Sequence, residues 1–210
     1  SIKGPIIRCI PNTRNLIVEK LRRDTFGQQD PSKPHKTILL VGEPGSGKST
    51  LINAIVNYML NAHCSERIWC EIMETKGNQT KSQTNAVTVY DVFIDQSPFS
   101  LIVIDTPGYR NTESTDNDLR IAAALHELCT SGVQDIDAVR LVVLSSTSRL
   151  MDRQQYVFDA VLSLFGKDVE RNIILLITHT CNKPINSIKA IMESKARYAE
   201  TEKGELVCFI

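Results

Sequence analysis

The sequence predicts an α/β fold in three layers, with about six mostly parallel strands and an antiparallel strand at one edge. Three observations carry that expectation. From residue 36 onward, apolar runs of strand length alternate with helical stretches, as in a parallel sheet covered on both faces. A glycine-rich turn, Gly42-Glu43-Pro44-Gly45-Ser46-Gly47-Lys48-Ser49, joins the first run to the first helical stretch. The third run ends in Asp105-Thr106-Pro107-Gly108, a polar loop after a buried strand.

The strand-length runs are residues 37–41, 86–94, 101–104, 138–144, 172–177 and 206–210. Residues 101–104, 139–144 and 173–177 are almost purely apolar, as strands buried on both faces are. In residues 86–94, Thr88 and Tyr90 alternate with Val87, Val89 and Val92, which reads as a half-covered edge strand. Helical patterns occupy residues 48–62, 117–129, 152–165 and 185–198. In the third of these Tyr156, Ala160, Val161, Leu164 and Phe165 share one face. Residues 1–35 are less regular and are broken by Pro5, Pro11, Pro31 and Pro34. Leu16, Ile17, Val18 and Leu21 suggest a short amphipathic helix over 15–23. This region is expected to be an accessory segment packed on a main domain of residues 36–210.

Composition excludes several classes. The 210 residues carry 24 basic and 24 acidic side chains, so no net charge draws the chain to nucleic acid or an anionic membrane. No apolar run approaches the 18 residues of a membrane span. The six cysteines, Cys9, Cys64, Cys70, Cys129, Cys181 and Cys208, have wide, irregular spacings. With no zinc-type pairing, they are expected to be reduced, packed thiols in a cytoplasmic or nuclear protein.

Gly42 to Ser49 fits GxxxxGK[ST] between an apolar strand and a helix, which is the context that gives the motif its meaning. Glycines let successive backbone N–H groups face one centre, and the helix start adds its positive dipole end. Gly42, Glu43, Pro44, Gly45, Ser46, Gly47, Lys48, Ser49 and Thr50 are therefore the candidate phosphate-binding residues. Lys48 is placed on the β- and γ-phosphates and the Ser49 hydroxyl on Mg²⁺. Asp105, at the carboxyl end of its strand, is the second candidate metal residue, and the Gly108 N–H is the candidate γ-phosphate sensor. Thr84, just ahead of the second strand, is preferred over Thr80 as a metal-contacting threonine of a mobile loop.

Base recognition departs from the common pattern. Guanine-binding chains of this type carry [NT]KxD after the fifth strand, and the Asp accepts two hydrogen bonds from guanine. Here Thr178-His179-Thr180-Cys181 stands there, and a thiol cannot make that bidentate contact. His179 is the candidate for stacking on the purine, with Thr178 beside it.

Together these residues resemble the septin-like branch of P-loop GTPases. Within it, the chain is most similar to the immunity-associated (AIG1-type) G domains and also to the chloroplast outer-envelope import receptors. The matching words are Lys36 through Asn53, Ile104 to Gly108, Ile136 to Val139, and Thr178-His179. The resemblance implies a G domain that binds GTP and GDP with Mg²⁺ and dimerises across its nucleotide face. It also implies slow hydrolysis. Tyr109 stands where many small GTPases carry a water-orienting Gln, so another group must act, with Arg149, Arg153 or Arg110 as candidates. In the resembling families the strand matching 206–210 is followed by a base-contacting loop and helix, so the domain is expected to be truncated at its C-terminal end.

Three functional readings follow: a regulatory GTPase switch, an ATP-binding P-loop protein, and a nucleotide-dependent assembly scaffold with negligible turnover. The Asp105 loop favours the first. The loss of Asp at position 181 keeps the second open.

Overall fold

A computed structural model describes residues 6–18, 21–61, 69–72, 86–107, 123–128, 130, 133, 135–146 and 172–179. The strands are β1 (Ile6–Arg8), β2 (Thr13–Val18), β3 (Leu21–Phe26), β4 (His35–Gly42), β5 (Trp69–Glu71), β6 (Val87–Val92), β7 (Ser100–Asp105), β8 (Ala138–Leu144) and β9 (Ile173–Thr178). Helix α1 covers Lys48–Met59. Seven strands form one sheet in the order β2-β3-β6-β7-β4-β8-β9, and β1 pairs with β5 in a separate parallel pair.

The expected runs at 37–41, 86–94, 101–104, 138–144 and 172–177 are β4, β6, β7, β8 and β9. Strand β4 lies between β7 and β8, parallel to both, and β9 extends the parallel part. Strand β6 is antiparallel to β7. The apolar residues sort onto two faces, as the two-residue period of a strand requires. Leu40, Tyr90 and Val103 pack with Ile52, Val56 and Met59 of α1. Leu39, Val41, Val89 and Ile104 pack with Ala124, Leu125 and Leu128 of a helical segment at 123–128. Helix covers both faces, so the three-layer expectation holds. The expected helices at 152–165 and 185–198 and the strand at 206–210 lie outside the described residues.

Three expectations are corrected. Residues 15–18 and 21–23 are strand, not helix. They form most of the antiparallel hairpin β2–β3, with Leu16 opposite Arg22. Leu21 is fully buried, whereas Leu16 is 70% exposed, a split that a single apolar helix stripe would not give. The hairpin joins the main sheet, because β3 pairs in parallel with β6 from Leu21–Val87 to Phe26–Val92.

That pairing overturns the second expectation. Strand β6 is antiparallel but is not at the edge, and all six of its residues are buried. Strand β3 satisfies its outer row of backbone groups, and β2 takes the edge in its place. Its buried Asp91 is partnered from β3. Asp91 accepts two hydrogen bonds from Arg23, at 2.6 and 2.9 Å, and one from the Thr25 hydroxyl.

The third correction concerns the thiols. Cys9 and Cys70 form a disulfide, their Cα atoms 6.2 Å apart. The β1–β5 pairing brings them together, and the Cys9 N–H donates to the Glu71 carbonyl beside the bridge. The other four cysteines lie outside the described residues.

Two asparagines of α1 hold β5 in place. Asn57 donates to the Cys70 carbonyl and accepts from the Cys70 N–H, while Asn53 accepts from the Ile72 N–H. Both side chains are buried, so removing Asn57 strands backbone groups away from water. Asn57→Ala is expected to cost about 2–4 kcal/mol, read as a lower urea midpoint at unchanged m. A loss below about 1 kcal/mol would mean that β5 is held by other contacts.

Candidate functional site

The parallel strands β4, β7, β8 and β9 all end on one side of the sheet, and the loops that leave them form the site. After β4 the chain turns through residues 43–47 into α1. Gly47 caps α1 with φ 94°, in the left-handed region that favours glycine. Gly42 is required by close approach, because a Cβ there would lie 2.4 Å from the Val142 carbonyl oxygen and 2.9 Å from Ser46 Oγ. The Ser46 N–H donates to the Glu43 carbonyl, which closes the turn.

Lys48 is buried and folds back over this loop. Its Nζ donates to the Gly42 carbonyl at 2.7 Å and the Glu43 carbonyl at 2.9 Å. Burial pulls its pKa below the ordinary lysine value, against the opposing attraction of Asp105 and Glu43. Asp105, at the end of β7, is almost completely buried. Burial raises its carboxyl pKa to about 6, opposed by the nearby charges of Lys48 and Arg22. Its Oδ1 has no hydrogen-bond partner, and neither does the buried Ser46 Oγ.

An orphaned carboxylate oxygen beside a phosphate-type loop is a hard donor of the kind Mg²⁺ takes. Among the described residues no cluster of three or more His, Cys, Asp or Glu could hold a metal by itself. Mg²⁺ is commonly held by one or two protein oxygens together with nucleotide phosphates and water. Asp105 and Ser49 fit the group. Ser49 lies in the first turn of α1, half-buried, with Thr50 exposed behind it.

Two threonines brace the loops from below. Thr106, fully buried, donates through its hydroxyl to the Leu40 carbonyl at 2.9 Å and ties the loop after β7 to β4. Thr178, expected beside the base, donates its hydroxyl to the Ser46 carbonyl at 2.7 Å. It therefore supports the phosphate-type loop from β9, and its methyl side faces the space where a Gly47 Cβ would stand. The same contact fixes the start of the next loop. Ser145 donates its N–H to the Thr178 carbonyl and its hydroxyl to the His179 carbonyl. His179 is exposed, with φ 57°. His126, in the helical segment on the other face, is exposed and takes no part.

The structure thus brings together residues 42–49, Asp105, Thr178 and His179. Sequence reasoning missed the bracing roles of Thr106 and Thr178. It also missed Arg22, which stands near Asp105 because β3 joins the sheet. Thr84, Gly108 and Arg149 lie outside the described residues, as do Thr80, Arg110, Arg153 and Cys181.

Comparisons with known proteins bear on the fold and the family. The chain is 27% identical over 188 residues to cell division control protein 48 homolog B of Arabidopsis thaliana, covering 82% of this chain and 30% of that protein. It is 28% identical over 151 residues to immune-associated nucleotide-binding protein 10 of the same plant, covering 70% of this chain and 28% of that one. The chain thus spans less than a third of the length of either relative. Among solved structures, a dimerisation-deficient mutant of Toc33 from Arabidopsis thaliana matches with a TM-score of 0.54 at 18% identity, covering 83% of this chain and 69% of Toc33. Toc33 bound to Mg²⁺ and GMPPNP matches with a TM-score of 0.53, at 18% identity and 84% and 70% coverage. The sequence model of the AIG1 family matches residues 36–199, from the start of β4 through every loop of the site, and the chain belongs to the AIG1 family.

Proposed function

We propose that the chain is a guanine-nucleotide-binding domain that hydrolyses GTP slowly with Mg²⁺ and acts as a switch or assembly module, dimerising across its nucleotide face. The observation that carries this reading is the preformed loop of residues 42–48, with Lys48 folded over it and the unpartnered Asp105 oxygen at the same end of the sheet. Nucleotide phosphates would draw Lys48 Nζ from its two loop carbonyls. The loop N–H groups and the start of α1 would receive the phosphate oxygens. Ser49 and Asp105 would hold Mg²⁺, which when bound neutralises charge between the β- and γ-phosphates. Thr178, bonded to the Ser46 carbonyl, keeps the loop curled while this happens.

Guanine over adenine is supported by family membership and by His179, which follows β9 directly with an exposed side chain. Slow turnover is supported by Tyr109 in the place of a water-orienting Gln. Dimerisation is supported by likeness to Toc33, for which a solved structure links dimerisation to GTPase activity. Arg149, Arg153 or Arg110 would then be the groups acting across the dimer. Thr84 and Gly108 belong to the same reading as metal contact and γ-phosphate sensor. A cytoplasmic setting belongs to the same reading, and the Cys9–Cys70 disulfide, unusual in a reducing compartment, argues against it.

Isothermal titration with GDP, GTP and ATP in Mg²⁺ tests the assignment. Tighter binding of ATP than of GTP would replace it with the ATP-binding reading that Cys181 allows. Gel filtration with a non-hydrolysable GTP analogue tests the dimer, and a monomer in every nucleotide state would remove it. His179→Ala is expected to weaken GDP binding about fivefold through lost stacking on the base. Unchanged affinity would leave His179 as a loop residue without a ligand contact.

A further inference from the structure

A row of polar residues, with Thr88 and Asp105 buried and Arg22 partly exposed, runs from the site toward the far edge of the sheet. Arg22 of β3 is paired with Thr88 of β6, and Thr88 with Asp105 of β7. Laterally paired residues point to the same face, and two strand spacings separate Arg22 from Asp105 by roughly 10 Å at Cα, within reach of an arginine. One register step along, Asp24 is paired with Tyr90. Asp24 and Tyr90 are almost wholly buried. Arg22 Nη2 lies 3.3 Å from Asp24 Oδ2, and Arg14 Nε of the edge strand lies 3.3 Å from Asp24 Oδ1. Arg22 also lies beside the Tyr90 hydroxyl, and its charge is felt at Asp105.

Two arginines therefore share one aspartate, and the hairpin brings a net positive charge to the side of Asp105 away from the phosphate loop. Arg22 Nε, like Asp105 Oδ1, is buried with no hydrogen-bond partner, so neither group is locked to the other. The hairpin at residues 13–26 precedes the family match, which begins at residue 36. Through β3 it lies beside β6, the strand next to Asp105 of β7.

We infer that Arg22 is a positioning residue for the Mg²⁺ site, and that the β2–β3 hairpin uses it to raise the Mg²⁺ concentration at which nucleotide binding tightens. This rests on the Mg²⁺-nucleotide reading given above. The physical reason is like-charge opposition. A divalent cation entering beside Asp105 meets a guanidinium that Asp24, shared with Arg14, neutralises only in part. The hairpin thereby becomes a lever on the site. Whatever draws Arg22 outward, or strengthens its pairing with Asp24, lowers the Mg²⁺ requirement.

The test titrates Mg²⁺ into each protein holding a fluorescent GDP analogue and reads the midpoint of the tightening. Arg22→Gln is expected to lower that midpoint by roughly threefold to tenfold, the scale of one partly neutralised charge at short range. Arg22→Lys is expected to stay within about twofold of the parent. Asp24→Asn removes the neutralising charge and is expected to move the midpoint upward. Arg14→Gln, on the exposed edge strand, keeps the protein folded should the buried variants fail, and is expected to lower the midpoint by a smaller factor. A merely structural role would move Arg22→Gln and Asp24→Asn the same way, so a shared direction overturns the inference. Unshifted midpoints in Arg22→Gln and Arg14→Gln overturn it as well. A parent protein with no Mg²⁺-dependent tightening overturns both this inference and the functional reading beneath it, whereas a responsive parent with unresponsive variants overturns this inference alone.

Discussion

Lys48→Ala is expected to lower GDP affinity by at least about 100-fold, with the domain still folded. The buried ammonium is satisfied in the free protein by the Gly42 and Glu43 carbonyls. It is also partly destabilised there, since burial lowers its pKa. Phosphate offers it a full negative charge in place of two carbonyl dipoles. Removing one partner of a desolvated charge pair costs about 3–5 kcal/mol, which is roughly two to three and a half decades in affinity. The fold should survive, because burying the charge costs free energy that its deletion returns, and α1 stays anchored through Ile52, Val56 and Met59. Isothermal titration with GDP in Mg²⁺ reads the affinity, and a circular dichroism melt reads the fold. Unchanged affinity would remove residues 42–49 from the site.

The parts legible in the sequence were those whose signals are local. The loop of residues 42–49 is contiguous, lies between a strand and a helix, and is built as its spacing requires. Strands β4, β7, β8 and β9 were legible because burial on both faces makes them continuous apolar runs. Asp105 was legible because it ends one of them. The hairpin was not, because Leu16, Ile17, Val18 and Leu21 satisfy a helical spacing as readily as two strands when the runs are short. What decides between them is the pairing of β3 with β6, some 66 residues along the chain.

The same blindness made β6 look like an edge. Thr88 and Tyr90, alternating with valines, read as the open face of a half-covered strand, yet both are buried, because β3 supplies partners that no local pattern announces. Asn53 and Asn57 are buried hydrogen-bonding partners of the β5 segment, a role that no local pattern announces. The disulfide joins residues 61 positions apart, and cysteine spacing alone carries no pairing information at that distance. Thr178 was expected beside the base, whereas its hydroxyl donates to the Ser46 carbonyl of the loop after β4, a direction that sequence does not announce.

Asp105→Asn is expected to separate stability from function at the same atom. The buried carboxyl of the free protein has its pKa raised to about 6, above the ordinary 3.8. Between those two values the folded chain still holds a proton that the unfolded chain has lost. Stability therefore falls as pH rises through this window, by about 3 kcal/mol in total. An asparagine of nearly the same shape cannot ionise and escapes that loss. Without nucleotide or Mg²⁺ at pH 7, the variant is expected to melt roughly 6–10 °C above the parent, and at pH 3 the two should converge. Function should move the other way. Asparagine lacks the anionic oxygen that Asp105 leaves unpartnered for a metal shell, so the Mg²⁺-dependent gain in nucleotide affinity should fall at least about tenfold. Melts at pH 3, 5 and 7, read beside Mg²⁺ titrations of the nucleotide complex, check both halves. A variant that is less stable than the parent at pH 7 would show that the carboxylate is already compensated by Lys48 and Arg22 in the free protein. A variant that is more stable and keeps its full Mg²⁺ response would place the metal on another residue.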